Sequence, residues 1–336
     1  MLSLSHWLNR ILCFLLTLTL VAACSGHGSL VQLTPNSHPS SSLPLTPMRV
    51  VKHAMGETQV PTNPQRVVTL DTGHLANALA LGVQPIGFTA WFQIAHKTGL
   101  SPVESYLRQY SETPTILGYG FSASQVSLEK LLLLKPDLIL ATEVHKPIYG
   151  LLSKIAPTVL YDYPIGNEWK EHLKMTADVL GKSQAAETLL QGYEQRIQSF
   201  KQKMRDRAAN PQVSAISPHS LNDLVGIMYL DYFGGSIMQN LGLSRPPEQN
   251  RESLKSGPVS YESIPEMDGD VIISISFDDQ DSLKGVERLQ KHPLWSQLDA
   301  VRQGNVYPVN GEHWHGGDII AANLVLDDLF KYLVAE

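Results

Sequence analysis

The residues most suited to chemistry lie in the segment Asn310–Gly317, near the carboxyl end of the chain. Glu312, His313 and His315 supply one carboxylate and two imidazoles, and such groups bind zinc or iron in many proteins. Trp314 stands between the two histidines, and in a polar loop we expect its ring to be exposed. A metal-dependent enzyme that uses His313 and His315 is therefore one alternative, although we predict that the chain holds no metal site of its own.

Other enzyme signatures are absent from the sequence. It has no P-loop, no Gly-x-Ser-x-Gly elbow, no His-Glu-x-x-His pair and no Gly-x-Gly-x-x-Gly that opens a helix. The stretch Gly118–Gly120 has only the first two glycines of the last motif. Ser217, His219 and Asp223 are the residue types of a catalytic triad, but triads are defined by geometry and close spacing does not favour one. We predict a protein without catalytic residues and without a cofactor.

The composition is that of a globular protein with room for one large domain or two ordinary ones. The 336 residues are 43% hydrophobic and 17% charged. The net charge is −6, which argues against a nucleic-acid partner because such partners usually require a basic face. The charge says little about a small ligand.

Residues 1–24 have the pattern of a lipoprotein signal peptide. Arg10 supplies a positive start, and Ile11–Val21 is apolar but short for a bilayer span. Cys24 follows two alanines at the end of this run and is the predicted lipidation site. The other cysteine lies in the removed segment, so the mature chain cannot form a disulfide. Residues 25–48 predict a flexible Ser/Pro-rich tether, and we expect an exported protein that its lipid holds at a membrane of the cell envelope.

Strand and helix patterns alternate after the tether, which predicts an α/β fold with a parallel sheet. A hairpin around Gly56 comes first. Arg66–Leu70 is a β-branched run, and Gly73–Leu81 has helical apolar spacing closed by Gly82. The alternation continues through Thr115–Leu117, Val126–Leu134, Asp137–Ala141, Pro147–Ile155 and Thr158–Leu160.

Loops at the carboxyl ends of parallel strands are where such sheets bind ligands. Trp91 follows the predicted strand that includes Phe88, and Tyr119 follows the strand Thr115–Leu117. Both side chains combine an apolar ring with a polar atom, which suits them to line a cleft. The other candidate side chains of these loops lie in Asp71–His74, Phe92, Phe121 and Glu143–His145.

Two helices in the middle of the chain form a predicted connector. Glu168–Leu180 is the first, and Ser183–Asn210 is the second, with apolar positions spaced by three and four. At 1.5 Å per residue the second helix would be roughly 42 Å long, more than one small lobe requires. We therefore assign residues 49–166 to an N-terminal lobe, 167–210 to the connector and 211–336 to a C-terminal lobe.

One stretch occurs in both predicted lobes. Val126–Ala141 recurs 133 residues later as Val259–Ser274, with Val, Ser, Glu and Asp in the same places. In each copy a serine is the predicted N-cap of a helix, and a glutamate follows in the first helical turn. The recurring serines and glutamates are Ser127, Glu129, Ser260 and Glu262. The other elements predicted in the C-terminal lobe are Gln212–Ile216, Ile227–Leu230, Gly234–Leu241, Pro293–Val301, Val306–Val309 and Asp318–Val334.

Short motifs follow one another in a characteristic order through nearly the whole mature chain. They are Pro64–Leu70, Leu81–Val83, Ser127–Ile139, Ala156–Val159, Leu180–Lys182, Gly235–Leu243, His292–Trp295 and Val306–Tyr307. This set resembles the periplasmic binding proteins of ABC importers for ferric siderophores, the class that includes ferric-dicitrate and vitamin B12 binding proteins. The resemblance implies two Rossmann-like lobes with central parallel sheets, joined by one long α-helix.

The resemblance also implies a partner and a function. In this family each lobe presents one carboxylate to basic pockets of the dimeric ABC permease, and the matching positions are Glu129 and Glu262. The chain would capture an iron(III)-siderophore between its lobes, of the hydroxamate or citrate type, and deliver it to the permease. We expect it to act as a lipid-anchored monomer.

The ligand contacts are predicted from loop position and residue type. They are Trp91, Tyr119, Tyr229 and Trp314. Family members commonly carry an arginine on the first strand of the second lobe, but Val213–Ser220 contains none. This departure leaves cobalamin or haem open as alternative ligands, and His219, His313 or His315 would then be candidate contacts.

Overall fold

The computed structural model describes most of the chain after the predicted tether. The described residues are 47–91, 100, 102–120, 122–162, 168–205, 210–218, 223–252 and 257–334. The predicted signal peptide, Cys24 and the tether as far as residue 46 lie outside them, as do Phe92, Phe121 and His219. No helix within the described ranges is long and apolar enough to cross a membrane.

An antiparallel hairpin precedes the N-terminal sheet. It consists of β1 (Met48–His53) and β2 (Gly56–Pro61), as the sequence predicts. The five strands of the N-terminal sheet are β3 (Val67–Thr69), β4 (Gly87–Ala90), β5 (Thr115–Tyr119), β6 (Leu138–Thr142) and β7 (Thr158–Tyr161). They are all parallel and lie in the order β5-β4-β3-β6-β7.

The helices of this lobe are α1 (Thr72–Ala80), α2 (Glu104–Leu107), α3 (Leu128–Leu134) and α4 (Tyr149–Ile155). α1 shows why the sequence folds this way locally. Asp71 caps it, because its Oδ1 accepts a hydrogen bond from the His74 N–H at 2.9 Å. Gly82 follows the helix with a φ of +76°, a left-handed conformation that favours glycine.

The connector consists of α5 (Trp169–Val179) and α6 (Ser183–Arg205). α6 has 23 residues and is therefore about 35 Å long. Its buried positions are Ala186, Tyr193, Ile197 and Phe200, which repeat with helical spacing.

The C-terminal sheet is mixed, whereas the sequence predicts a parallel one. Its strands are β8 (Val213–Pro218), β9 (Leu224–Ile227), β10 (Val259–Ser260), β11 (Val271–Ser276) and β12 (Val306–Asn310), in the order β10-β9-β8-β11-β12. β8, β11 and β12 are parallel, but β9 is antiparallel to β8, and β10 is antiparallel to β9. The sequence predicts a strand at Ile227–Leu230, but the strand in this region is β9, which ends at Ile227.

The helices of the C-terminal lobe are α7 (Phe233–Leu241), α8 (Gln280–Gln290), α9 (Asp299–Arg302), α10 (Gly311–Trp314) and α11 (Ile319–Leu333). The predicted helix Pro293–Val301 is divided into a 3-10 turn, Trp295–Gln297, and α9. The segment predicted as a helix after Ser260 is a 3-10 turn, Tyr261–Met267, which Pro265 interrupts.

One continuous core connects the two sheets through the helices between them. It contains Leu75 of α1, Leu173 of α5, Phe200 of α6, Ile273 of β11 and Val325 of α11. The opposite face of each sheet packs on a smaller cluster of its own. The α/β fold with two lobes and a long connecting helix is confirmed, and the shared core limits how far the lobes can move without exposing apolar surface.

Candidate ligand-binding site

Two aromatic rings from different lobes face each other. Trp91 follows directly after β4, and Phe277 follows directly after β11. Their ring centroids are 6.5 Å apart and their planes are inclined by 56°, within the range of interacting aromatic pairs. Both residues stand at the carboxyl end of a parallel strand, where open α/β sheets bind ligands. The cleft between the two sheets is therefore the candidate ligand site.

The C-terminal side of this cleft contains a cavity of about 350 Å³. Phe277 and His315 form one side of it, with ring centroids 5.7 Å apart and planes inclined by only 19°. Tyr229 and Tyr232 also line the cavity, and their ring centroids lie 6.0 Å apart. The volume is at the lower end of the usual range of small-molecule sites, about 300–1,000 Å³. Aromatic walls of this kind suit a ligand with flat or apolar parts.

Tyr229 is held firmly in the cavity wall. Its hydroxyl donates a hydrogen bond to the Gly257 carbonyl at 3.0 Å. A Cβ added at Gly235 would lie 1.7 Å from the Tyr229 carbonyl oxygen, so only glycine allows α7 to pass this close. The Arg251 guanidinium lies 5.9 Å from the centre of the Tyr229 ring. It is also paired with Glu248 at 3.2 Å, which offsets part of its charge.

A smaller cavity adjoins Trp91 in the N-terminal lobe. Asp71, Thr142 and His145 also border it. Asp71 follows β3 by two residues, Thr142 ends β6, and His145 comes three residues later. The space open to a water-sized group is about 20 Å³, which is enough for one small group. The cleft therefore combines a large aromatic cavity on one side with a small cavity bordered by Asp71 and His145 on the other.

Comparison with known proteins identifies the family to which this architecture belongs. A family model described as periplasmic binding protein matches residues 67–311, which is well over half of the chain. The chain belongs to the periplasmic binding protein family. The resemblance inferred from the sequence motifs is thereby confirmed, and the β3 to β12 region that builds the cleft lies almost wholly within the matched segment.

Several members of the periplasmic binding protein family are similar over most of their length. The probable siderophore-binding lipoprotein YfiY of Bacillus subtilis is 30% identical over 339 residues, 97% of this chain and 98% of the relative. The achromobactin-binding periplasmic protein of Dickeya dadantii is 31% identical, covering 86% and 92%. The crystal structure of Staphylococcus aureus SirA complexed with staphyloferrin B has a TM-score of 0.70 at 29% identity, covering 86% of this chain and 99% of SirA. The names of these proteins describe binding proteins rather than enzymes.

Of the predicted contact residues of this binding protein, the structure brings two to the cleft. Trp91 borders the small cavity, and Tyr229 lines the large one. Tyr119 is half-buried, packs against the core shared by the lobes, and is not among the residues that border either cavity. Ligand contact by any of the three stays a prediction.

The expectation that Trp314 is exposed is wrong, and its burial lends no support to its predicted contact with the ligand. Its side chain is 0% exposed, and its indole N–H donates to Asp328 Oδ2 at 2.9 Å. The reason is local. The segment is a helical turn, α10, capped by Asn310, whose side chain accepts a hydrogen bond from the Glu312 N–H at 2.7 Å. This turn carries the indole against α7, where a Cβ at Gly234 would lie 2.6 Å from the Trp314 ring.

The two histidines beside Trp314 have different partners. His313 Nε2 is 2.6 Å from Asp328 Oδ2, and its side chain is 12% exposed. His315 instead stacks on Phe277 at the large cavity. In the part of the chain that the structure describes, no three His, Cys, Asp or Glu side chains are grouped so as to hold a metal ion. The arrangement therefore lends no support to the metal-dependent enzyme alternative.

Phe277 and Tyr232 also line the large cavity, and neither is among the contacts predicted from the sequence. Phe277 follows the apolar run that forms β11, so the rule that ligands bind at the carboxyl ends of strands would have identified it. Tyr232 immediately precedes α7, and no sequence signal marks it.

A buried chain of hydrogen bonds lies at the junction of α1, α5 and α11. Thr176 Oγ1 donates to the His172 carbonyl, so it accepts from His74 Nδ1 at 3.0 Å. His74 Nε2 then accepts from His172 Nε2 at 3.2 Å, and His172 Nδ1 accepts from the Asn77 amide at 3.4 Å. The Asn77 carbonyl oxygen accepts from the Ile319 N–H at 3.4 Å. These directions assign both imidazoles as neutral.

The charges at this junction follow from burial. Burial lowers the pKa of His74 and of His172 to about 3, consistent with neutral rings. Burial raises the pKa of Asp318, the N-cap of α11, to about 7, and the charge of Asp71 adds to this rise. The hydrogen bonds that Asp318 accepts from the Ala321 and Ile320 N–H groups oppose the rise only in part. The raised pKa brings the titration of Asp318 close to neutral pH.

Replacing Asp318 with asparagine should change how stability depends on pH. The folded pKa of about 7 exceeds the ordinary value of 3.8, so the wild type loses stability as pH rises towards and through 7. Asparagine caps a helix as well as aspartate but does not ionise. Between pH 5 and pH 8 we expect Asp318→Asn to gain about 2–3 kcal/mol of unfolding free energy relative to wild type.

Urea unfolding of both proteins at the two pH values measures this difference. His74 and His172 act in the opposite direction, since their lowered pKa values weaken the fold as pH falls below 6.5, but both proteins retain them. If the two proteins responded to pH in parallel, Asp318 would not hold its proton in the folded state.

The repeated stretch marks the same place in both sheets. Asp137 precedes β6 and accepts from the Gln65 and Arg66 N–H groups at 2.8 and 2.9 Å. Asp270 precedes β11 and accepts from the Gln212 N–H at 2.7 Å. In each lobe this carboxylate connects the starts of two neighbouring strands, the third and the fourth in the sheet order. They are β3 and β6 in the N-terminal sheet and β8 and β11 in the C-terminal sheet. The recurrence is thus a shared structural device of the two lobes.

The repeated glutamates occupy corresponding positions as well. Glu129 lies in the first turn of α3, which leads into β6, and Glu262 lies in the 3-10 turn that leads into β11. Both side chains are exposed. The predicted capping differs between them, because Ser127 accepts from the Lys130 N–H at 3.4 Å whereas Ser260 makes no side-chain cap. A 3-10 turn has i to i+3 hydrogen bonds from its first residue, unlike an α-helix. The residues that the two copies of the repeat share do not indicate this difference.

Proposed function

We propose that this periplasmic binding protein captures an iron(III)-siderophore between its two lobes and delivers it to an ABC importer in the membrane. The observation that carries the proposal is the Trp91–Phe277 pair, which brings one aromatic ring from each lobe to the same cleft. A ligand that enters there would contact both lobes at once, and its binding energy would favour their closure. No covalent chemistry and no resident cofactor are needed.

The relatives support an iron chelate as the ligand. YfiY is named a probable siderophore-binding lipoprotein, and SirA is complexed with staphyloferrin B. The relatives also include proteins named for ferric hydroxamate and ferric citrate. We therefore propose a hydroxamate or citrate type of siderophore, bound against the aromatic rings and close to Arg251.

Delivery requires a membrane anchor and a docking surface. We propose that a lipid on Cys24 holds the protein at the membrane and that residues 25–48 allow it to reach the permease. Glu129 and Glu262, one on each lobe, would dock on basic pockets of the two permease subunits. The protein would act as a monomer in this cycle.

Intrinsic tryptophan fluorescence tests the capture step. Trp169, Trp295 and Trp314 are buried, while Trp91 is half-buried at the cleft. We expect saturable quenching by one or more ferric hydroxamate or ferric citrate complexes. Trp91→Phe should remove the largest part of the quenching and keep an aromatic wall, whereas Trp295→Phe should leave most of it.

The same titration with cobalamin and haem separates the alternatives. His315 at the large cavity is the residue that would contact either ligand. Quenching by cobalamin or haem, with no response to any ferric complex, would replace the siderophore proposal. A lack of response to every compound, together with no thermal shift, would remove the transport proposal altogether.

A further inference from the structure

The small cavity beside Trp91 is bordered by Asp71, whose side chain has one oxygen that no described residue satisfies. Asp71 is 7% exposed, and its Oδ2 has no hydrogen-bond partner among the described residues. Its Oδ1 is already used as the cap of α1. A buried carboxylate oxygen without a donor is unfavourable, and such groups are normally paired.

The neighbouring histidine does not supply the missing donor. His74 Nε2 lies 3.6 Å from Asp71 Oδ2, beyond hydrogen-bond range. The buried hydrogen-bond chain also makes this nitrogen an acceptor, since it receives the proton of His172 Nε2. Asp71 Oδ2 is therefore left without a donor, and Asp71 is also one of the residues that border the small cavity.

The other titratable groups near Asp71 do not satisfy it either. Burial raises the pKa of Asp71, the neighbouring His172 and His145 act to lower it, and Asp318 opposes its charge from the N-terminus of α11. The ring of His172 donates to His74, and His145 Nδ1 lies 3.3–3.4 Å from atoms of Thr142. The cavity that Asp71 shares with His145 has about 20 Å³ open to a water-sized group, so it admits one small donor.

We propose that Asp71 forms a subsite for an amine of the captured ligand, which enters the small cavity as an ammonium group and donates to Oδ2. A positive donor is preferred because hydrogen bonds between ions of opposite charge are stronger than neutral ones. This subsite rests on the proposed capture of a ferric siderophore. It adds that the preferred ligand carries a free amine, while the aromatic cavity holds the rest of the complex.

A matched pair of hydroxamate complexes tests the subsite. Ferrioxamine B has a terminal ammonium group, and N-acetyl ferrioxamine B replaces it with a neutral amide. By calorimetry at pH 7.5 we expect the wild type to bind the first at least about tenfold more tightly. Asp71→Asn should abolish this preference while keeping the cap of α1. Asp279→Asn, which changes the N-cap of α8 in the other lobe and borders neither cavity, should retain the preference.

Each other outcome is decisive. Equal binding of the two complexes by the wild type, or an unchanged preference in Asp71→Asn, would overturn the subsite and leave the proposed function standing. If the wild type bound neither complex, hydroxamate capture would fail, and a methylammonium titration followed by NMR would judge the subsite by itself. Saturable shifts at residues 71–73 that Asp71→Asn loses would support it, and their absence would overturn it.

Discussion

Cells that depend on this protein for iron uptake should lose that uptake when Glu129 and Glu262 are both replaced by alanine, although the protein still binds its ligand. Both carboxylates are exposed, and neither makes a hydrogen bond or ion pair with the residues that the structure describes. They lie on different lobes, before strands that hold the same place in their sheets. Neither borders a cavity of the cleft, so docking can be lost without loss of binding.

The size of the expected effect follows from the two-point contact. Truncating one partner of a buried, hydrogen-bonded charge pair costs about 2–5 kcal/mol of binding energy. Two such losses would lower the affinity for the permease by several orders of magnitude. Uptake of radioactive iron by cells and calorimetry with the purified protein measure the two properties separately.

A matched control carries the same change of net charge. Glu112 and Glu187 are also exposed, one in the N-terminal lobe and one on the connecting helix α6. Their double replacement by alanine should leave uptake close to that of the wild type. An equal loss of ligand affinity in the Glu129/Glu262 variant, or equal loss of uptake in the control, would contradict the docking assignment.

Trp314→Ala should destabilise the protein by about 3–5 kcal/mol, the range measured when large buried aromatic residues are truncated. The indole is fully buried against α7 and donates to Asp328. Its loss leaves a cavity and removes one of the two donors to Asp328 Oδ2, which keeps its contact with His313 Nε2. Urea or guanidinium unfolding measures the effect.

Trp314→Phe separates packing from hydrogen bonding. It fills most of the same space and loses only the indole N–H, so we expect a smaller loss of about 1–3 kcal/mol. The folded fraction of either variant should bind ligand as the wild type does. Full stability together with weakened binding would restore the expectation that Trp314 contacts the ligand.

The parts of the fold that follow local rules could be predicted from the sequence. The run before Asp71 became β3, and the helical spacing that Gly82 closes became α1. In contrast, β10 has only two residues, too few to produce a pattern. α8 is absent from the predicted elements, although its cap Asp279 is a recognisable helix start.

The candidate site depended more on contacts between distant residues. Loop position was enough to select Trp91, but its partner Phe277 lies 186 residues further along the chain. The residues around Trp314 are polar and are typical of an exposed loop. Its burial becomes visible only in the folded structure, where it packs on α7. The link between His74 and His172 arises because α1 and α5 pack together, and nothing in either helix alone indicates it.

Native mass spectrometry with a panel of ferric siderophores, their iron-free forms, cobalamin and haem tests the central claim most directly. We expect a one-to-one complex with at least one ferric hydroxamate or citrate siderophore. Phe277→Ala, which removes the C-terminal half of the aromatic pair, should weaken this complex about tenfold or more. A complex formed only with cobalamin or haem, or none with any compound, would contradict the account.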